Sequence, residues 1–425
     1  MLEIVRGQIS KPAAVQSLIK KLEEIGVDEG IFYLGYPILA SIDGPQQLDC
    51  ILVSRAKGIV LFHLIEGVDL PEDINELVDN AYNNTISKLQ AAKSLVEKRR
   101  LLVDITVITY APRFNSGISQ EDSDYIGLVS NKQELESKLN LVNWSAGRLY
   151  EKLLSEIQSV SSLRRGKKRS DLKKENSRGS KLKRLEDAIS TLDQDQSKAF
   201  IETVDGVQRI RGLAGSGKTI VLARKIAYLH SLNPDWNIAV TFQTRSLKNQ
   251  LERLITIFCI EQSKEEPDWD RIHILHAWGG TNSAGIYYRA CIDNSIPFYT
   301  VGEAKRATYS GADIFSFVCV QFLKEAQLIT PAYDLILVDE AQDFSPAFLN
   351  LCYQLLTKEK RLVYAYDELQ NLNETSMESP EEIWGKDAND EPVVSLRSGE
   401  GEPQKDIILG TCYRNPGPRL TTAHA

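Results

Sequence analysis

The sequence of 425 residues predicts an α/β chain of two units, the second built on a mostly parallel sheet. Three observations lead there. Apolar β-like runs alternate with amphipathic helical stretches in both halves. From about residue 185 the alternation becomes regular, strand then helix. Between the halves lies a segment, 161–184, that is rich in charge, Ser and Gly and poor in apolar residues. The length suits two or three domains. Hydrophobic residues at 42 % and charged residues at 25 % are those of a globular chain.

Residues 1–160 read as one unit. Ala14–Ile25 carries apolar residues at helical spacing. Three β-like runs follow: IFYLGYPILA (31–40), LDCILVSR (48–55) and GIVLFHLIEG (58–67), with Ala56-Lys57-Gly58 turning between the last two. Residues 71–99 read as a long polar-amphipathic helix, LLVDITVITYAP (101–112) as a buried strand, and 131–160 as a further helix.

Between Leu163 and Arg184 stand eleven Lys or Arg and two acids, so the net charge of −8 leaves roughly −17 on the rest of the chain. This segment cannot bury enough apolar surface to offset the entropy of ordering, and a solvated linker is expected. Salt-sensitive contact with nucleic-acid phosphates is its functional alternative. No run of about 18 apolar residues predicts a membrane span, and MLEIVRGQIS lacks the build of a secretory signal. Six cysteines without a CxxC pair and five dispersed histidines predict neither a disulfide framework nor a zinc site, and so a cytoplasmic location.

The second half contains IRGLAGSGKT (210–219), a helix from Thr219, then NIAVTFQ (237–243), RIHILHA (271–277), YDLILVDEA (333–341) and RLVYAYDE (361–368). Gly212 to Thr219 fits G-x-x-x-x-G-K-T between a strand (Val207–Ile210) and a helix (Ile220–His230), the context a phosphate-binding loop requires. Gly212, Gly215, Ser216 and Gly217 let backbone N–H groups curl around phosphate oxygens, and the helix N-terminus adds partial positive charge. Lys218 is expected to reach the terminal phosphates and Thr219 to offer its hydroxyl to Mg²⁺. A chance Gly-rich turn is the plain alternative.

The apolar run Tyr333–Val338 ends in Asp339 and Glu340, at the carboxyl end of a strand, where parallel sheets gather their ligands. Asp339 would hold Mg²⁺ through its water shell, and Glu340 would polarise an attacking water. Taken alone, two adjacent acids also suit a solvated strand end. ATP is the default nucleotide, with GTP left open at this point.

At these residues the chain resembles superfamily 1 DNA helicases of the UvrD/Rep type, from about Leu192 to its end. Leu192 to Ala199 resembles the adenine-reading element of that family, which implies that Gln196 faces the base of ATP. Ala239 to Thr244 resembles a motif that touches single-stranded DNA, implying contacts from Thr241 and Phe242. His276 and Trp278 fall at a further DNA-contact motif, and Gln342 follows the catalytic pair as a coupling residue. Core packing is the alternative for Phe242 and Trp278, and a structural hydrogen bond for His276. Ala365 to Gln370 resembles the G-D-x-x-Q element, which makes Gln370 a γ-phosphate sensor. Cys412 to Asn415 resembles the motif opening the second motor domain, which implies that Tyr413 stacks on adenine and Arg414 neutralises γ-phosphate charge.

The resemblance thus implies a P-loop NTPase of RecA-like fold at 185–408, with a second RecA-like domain starting at 409–425. The departures are Tyr366 in place of Gly, no aromatic closely after Gln370, and 121 positions between Lys218 and Asp339, which implies a small insertion. The sequence ends before the family's final arginine-bearing motif, so a piece of a longer helicase is expected, a poor ATPase on its own.

The first half resembles the nuclease-related domain, a branch of the PD-(D/E)XK fold. Asp49 falls on its first metal-binding carboxylate. Aligning on Lys57-Gly58-Ile59 puts His63 and Ile65 where the family has Glu and Lys, and Glu66 has the opposite strand parity. An apolar residue cannot replace a Lys that assists the attacking water. A non-catalytic unit that docks on DNA or on a protein partner is expected. Together these imply an ATP- and Mg²⁺-dependent helicase or translocase responding to single-stranded DNA. A regulatory DNA-binding ATPase without unwinding, or a helicase–nuclease with an active first half, are the alternatives.

Overall fold

A computed structural model describes residues 2–35, 38–41, 44–98, 100–114, 120–157, 194–244, 246–281, 283–309, 312–367, 377–399 and 401–410. The expected linker 161–184, Gln370, Tyr413 and Arg414 lie outside the described residues. The chain divides into two compact α/β units, the second starting at Gln194.

The first unit carries strands β1 (Glu3–Arg6), β2 (Ile31–Leu34), β3 (Ile38–Ser41), β4 (Gly44–Gln47), β5 (Cys50–Ser54), β6 (Gly58–Leu64), β7 (Val96–Glu97), β8 (Arg100–Leu101), β9 (Ile105–Tyr110) and β10 (Leu128–Val129). Six of them pair as a mixed sheet, β1-β2-β5-β6-β9-β10, while β3 with β4 and β7 with β8 make two small antiparallel ribbons. Strand β5 is buried throughout, which explains its unbroken apolar run. Leu18 and Leu22 of the helix Pro12–Ile25 pack in one cluster with Phe32, Leu52, Phe62 and Tyr110. That helix begins at a proline and ends where Gly26, at φ +81°, turns its N–H back to the carbonyls of Glu23 and Leu22.

Several expectations are corrected here. The run 31–40 is split between β2 and β3, with Gly35 at φ +65° between them. The long helix ends at Gln90, short of 99, and the ribbon β7–β8 takes the remainder. The stretch 131–160 holds two helices, Lys132–Leu141 and Tyr150–Ile157. Between them Trp144 docks its indole N–H on the Leu102 carbonyl (2.7 Å) and its backbone N–H on that of Ala56 (2.7 Å), which redirects the chain. Strands β1 and β10 had no clear signal, being short and flanked by polar residues.

The second unit carries β11 (Val207–Gly212), β12 (Ile238–Phe242), β13 (Ile272–His276), β14 (Tyr333–Val338), β15 (Leu356–Asp367) and β16 (Asp406–Leu409). They form one sheet, β13-β12-β14-β15-β11-β16, in which every pairing is parallel. The register sets Gly212 beside Asp367 and beside Leu409, and Thr241 beside Val338, so these carboxyl ends share one edge. Strand β16, a short DIIL run, was not expected.

Between β13 and β14 lie three helices, Ile286–Asp293, Val301–Ala307 and Ile314–Glu325. Their core is aromatic: Trp278, Tyr287, Phe315 and Phe348 pack together. The chain enters this region through a close backbone crossing of Gly279 and Gly285. A Cβ on Gly285, whose φ of −150° suits any residue, would sit 2.3 Å from Gly279 Cα. Gly285→Ala therefore has no torsional cost but a backbone clash, and should destabilise the unit by about 1–3 kcal/mol. An unchanged urea midpoint would contradict this packing.

Candidate functional site

The site is built where β11 gives way to the helix Lys218–Leu232. Gly215 and Gly217 adopt φ of +85° and +89°, values that L side chains rarely adopt. Close packing adds a second requirement. A Cβ at Gly212 would meet the Leu409 carbonyl at 2.8 Å, and one at Gly217 would meet the Gln196 side-chain nitrogen at 2.7 Å. Gln196, on the helix Gln194–Ile201, donates from Nε2 to the Ser216 carbonyl (2.6 Å) and so braces the turn. The Ser216 hydroxyl is buried with no hydrogen-bond partner, an uncompensated polar atom inside the loop.

Opposite stands Asp339, fully buried just past the end of β14. Thr219 Oγ1 donates to its Oδ2 (2.7 Å) and the Glu340 N–H to its Oδ1 (3.1 Å). Burial pushes the Asp339 carboxyl up to about 6, against the lowering effect of the Thr219 hydrogen bond. Glu340 is held at φ +51°, a left-handed conformation that costs roughly 1–2 kcal/mol for a residue with a Cβ. Its carboxylate accepts from Gln342 Nε2 (2.8 Å), while Gln342 Oε1 accepts the backbone N–H of Asp367 (3.1 Å).

Lys218 closes the ring. Its ammonium pairs with the Asp367 carboxylate and donates to the carbonyls of Gly212 (3.3 Å) and Leu213 (3.2 Å). The side chains of Lys218 and Asp367 are only 5 % and 3 % exposed. Lys218, Thr219, Asp339, Glu340, Gln342 and Asp367 thus form one hydrogen-bonded circuit across three strand ends. Asp367 was not expected in it. An acid closing an apolar strand is a signal of sorts, but its place beside Gly212 follows from strand order.

Other expected residues lie nearby with different contacts. Thr241 and Phe242, which the resemblance assigns to DNA contact, are buried, at 0 % and 1 % exposed. Phe242 lies edge-on to His276. His276 Nδ1 accepts the N–H of Trp278 (3.1 Å) and that of Gly279 (3.4 Å), which organises the turn. Trp278 is partly buried, stacks one face on Phe315 at 5.1 Å and donates its indole N–H to the Tyr299 carbonyl (3.2 Å).

Two basic residues on the loop's helix carry no sequence signal beyond their apolar surroundings. Lys225 is fully buried and donates to the carbonyls of Ala199 (3.1 Å) and Glu202 (2.5 Å). The Arg224 guanidinium lies over Phe200 at 4.9 Å and over Phe258 at 5.1 Å. Both tie the Gln196 helix to the helix that follows the loop.

In the first unit, Asp49 Oδ2 accepts from Lys11 Nζ (2.8 Å) and from the Leu64 N–H (2.8 Å). A cavity of about 200 Å³ runs past Lys11, Asp49, Phe62 and His63. Ile65 is buried, and Glu66 accepts the Ala14 N–H (3.0 Å) at the start of the helix Pro12–Ile25. Among the described residues, no three His, Cys, Asp or Glu stand together as a metal site, and no helix is long and apolar enough to cross a membrane. The described cysteines, 50, 259, 291, 319 and 352, are free and buried.

No family model matches the chain. A stretch of 95 residues, 22 % of the chain, is 39 % identical to a protein of Mycoplasma capricolum subsp. capricolum named "Probable DNA helicase II homolog". The match spans 12 % of that protein's length.

Burial lowers the Lys225 ammonium to about 7, against an ordinary value near 10.4 in the unfolded chain. Between those values the unfolded chain holds a proton that the folded one has released, so this group makes stability rise with pH. Lys225→Met removes that contribution. The urea-measured stability of this variant relative to the wild type should fall from pH 7 to pH 9, by at most about 1.4 kcal/mol per unit. A difference independent of pH would show that the amine keeps its proton.

Proposed function

We propose that the second unit is an ATP-hydrolysing P-loop domain of the superfamily 1 helicase type, driven by or coupled to single-stranded DNA. One observation carries the reading: a glycine-rich turn, Lys218, Thr219 and the Asp339–Glu340 pair converge at the carboxyl edge of a parallel sheet. The partial likeness to a protein named as a helicase II homolog points the same way.

The residues fit the groups this reading needs. Gly215 and Gly217 supply the positive-φ backbone of the turn, and the first amides of the helix Lys218–Leu232 have no partner within the helix. The Ser216 hydroxyl lacks a partner. A hard oxygen pair, Thr219 Oγ1 and Asp339 Oδ2, suits Mg²⁺, which takes one or two protein oxygens beside phosphate and water. Bound Mg²⁺ would supply charge neutralisation at the phosphates.

In that arrangement the loop amides and Lys218 would hold the phosphates, and Thr219 and Asp339 would hold the metal. Glu340 takes the proton from the attacking water. Its left-handed backbone presents the carboxylate beyond the strand end, and Gln342 holds it by one hydrogen bond. Gln342 bonds Glu340 and the backbone of Asp367 at once, so it is the residue through which a change at one strand end would reach the other. Gln196 selects adenine, exchanging its hold on the Ser216 carbonyl for the base. His276 and Trp278, at the end of β13, remain the candidates for DNA contact, and Gln370 is the candidate γ-phosphate sensor. Tyr413 and Arg414 would complete the site from a second lobe.

For the first unit we propose a non-catalytic docking role, because Lys11 occupies the Asp49 carboxylate. If it instead cuts DNA, Mg²⁺-dependent cleavage abolished by Asp49→Ala would overturn this role. The expected result is no cleavage by wild type or variant.

The activity test is ATP turnover with and without single-stranded DNA. DNA is expected to stimulate turnover, and Glu340→Gln to lower it by about 10²–10⁴-fold. Lys218→Ala should abolish it. Turnover that survives both substitutions would place the chemistry elsewhere.

A further inference from the structure

We propose that Asp367 is an internal competitor for Lys218, standing in for a phosphate and setting how tightly the site takes a nucleotide; this rests on the nucleotide reading above. The observation is the pairing of the Lys218 ammonium with a carboxylate 149 positions away, at the end of the neighbouring strand, with both side chains almost wholly buried. Three features make it more than a stray ion pair. The parallel register sets Asp367 directly beside Gly212, so the contact is built by the sheet. The lysine's remaining donors go to the carbonyls of Gly212 and Leu213, at the root of the turn. Asp367 is itself held through its backbone N–H by Gln342, the residue that also holds Glu340.

A Lys ammonium presents three donors and no acceptor, and in this circuit all three are engaged. An anionic phosphate can gain Lys218 only by displacing one of these partners, and the carboxylate is the one whose charge opposes it. A group available in only a fraction of molecules weakens apparent affinity by that fraction. Nucleotide therefore binds at the cost of opening the pair. The displaced Asp367 is left beside Gln342, so phosphate occupancy is transmitted to the residue that holds Glu340. Asp367 acts through Lys218 and is a positioning residue, touching no reacting atom.

The test combines affinity with a melting cycle on the full chain. The Mg²⁺ complex of AMP-PNP is titrated into wild type and Asp367→Asn. The variant weakens the competitor at constant size and should bind at least about 10-fold more tightly. A purely structural role would move affinity the other way or not at all. In the absence of nucleotide, Lys218→Met should melt well below wild type, because it takes the ammonium away from a buried carboxylate. Adding Asp367→Asn to it should recover most of that loss. Wild-type binding with no gain in Asp367→Asn overturns the competitor and leaves the nucleotide reading standing. No binding by either protein overturns both. A double variant no more stable than Lys218→Met overturns the pairing itself.

Discussion

A lysine ammonium held at 5 % exposure must find anions or carbonyls, because leaving water without them costs several kcal/mol. The second unit is arranged around that requirement. Lys218 must sit where β11 turns into its helix, since the glycine-rich turn delivers it there. Asp367 and two turn carbonyls meet the charge, and Gln342, Glu340, Asp339 and Thr219 extend the same network around the edge. Removing one member of such a network exposes the desolvation cost of its neighbours, so these residues act as a set.

The sheet makes this network achievable. All its strands run in parallel, so their carboxyl ends gather on one edge without any loop having to reach far. The register does the fine positioning: Gly212 beside Asp367 on one side and beside Leu409 on the other. The same closeness forbids a side chain at Gly212, while Gly217 is held to glycine by its φ of +89°. The turn is thus confined by backbone conformation, by packing and by the amide of Gln196, and backbone N–H groups confined in this way need little reordering to meet an anion.

Much of the site could be read in advance because its elements are local. The turn from Gly212 to Thr219 and the strand ending in Asp339-Glu340 each carry their chemistry within eight residues, and periodicity placed both. What stayed hidden depends on contacts distant in sequence. Asp367 joins Lys218 only because β15 lies beside β11, and a strand order of β13-β12-β14-β15-β11-β16 has no local signature. Lys225 and Arg224 look like solvated charges until the helix Gln194–Ile201 covers them. The burial of Thr241 and Phe242 was likewise not legible. The motif resemblance assigns them to DNA contact, and the strand buries both, with the Thr241 hydroxyl left without a partner. In the first unit, helix lengths failed where tertiary docking cut the chain, as at Trp144.

The central claim is that the circuit around Lys218 is where a nucleotide binds, and backbone hydrogen exchange with and without the Mg²⁺ complex of ADP tests it most directly. Added nucleotide should slow exchange across 212–219 and 339–342, with little change in the first unit. Exchange unaltered in both stretches, or slowed only elsewhere, would contradict it.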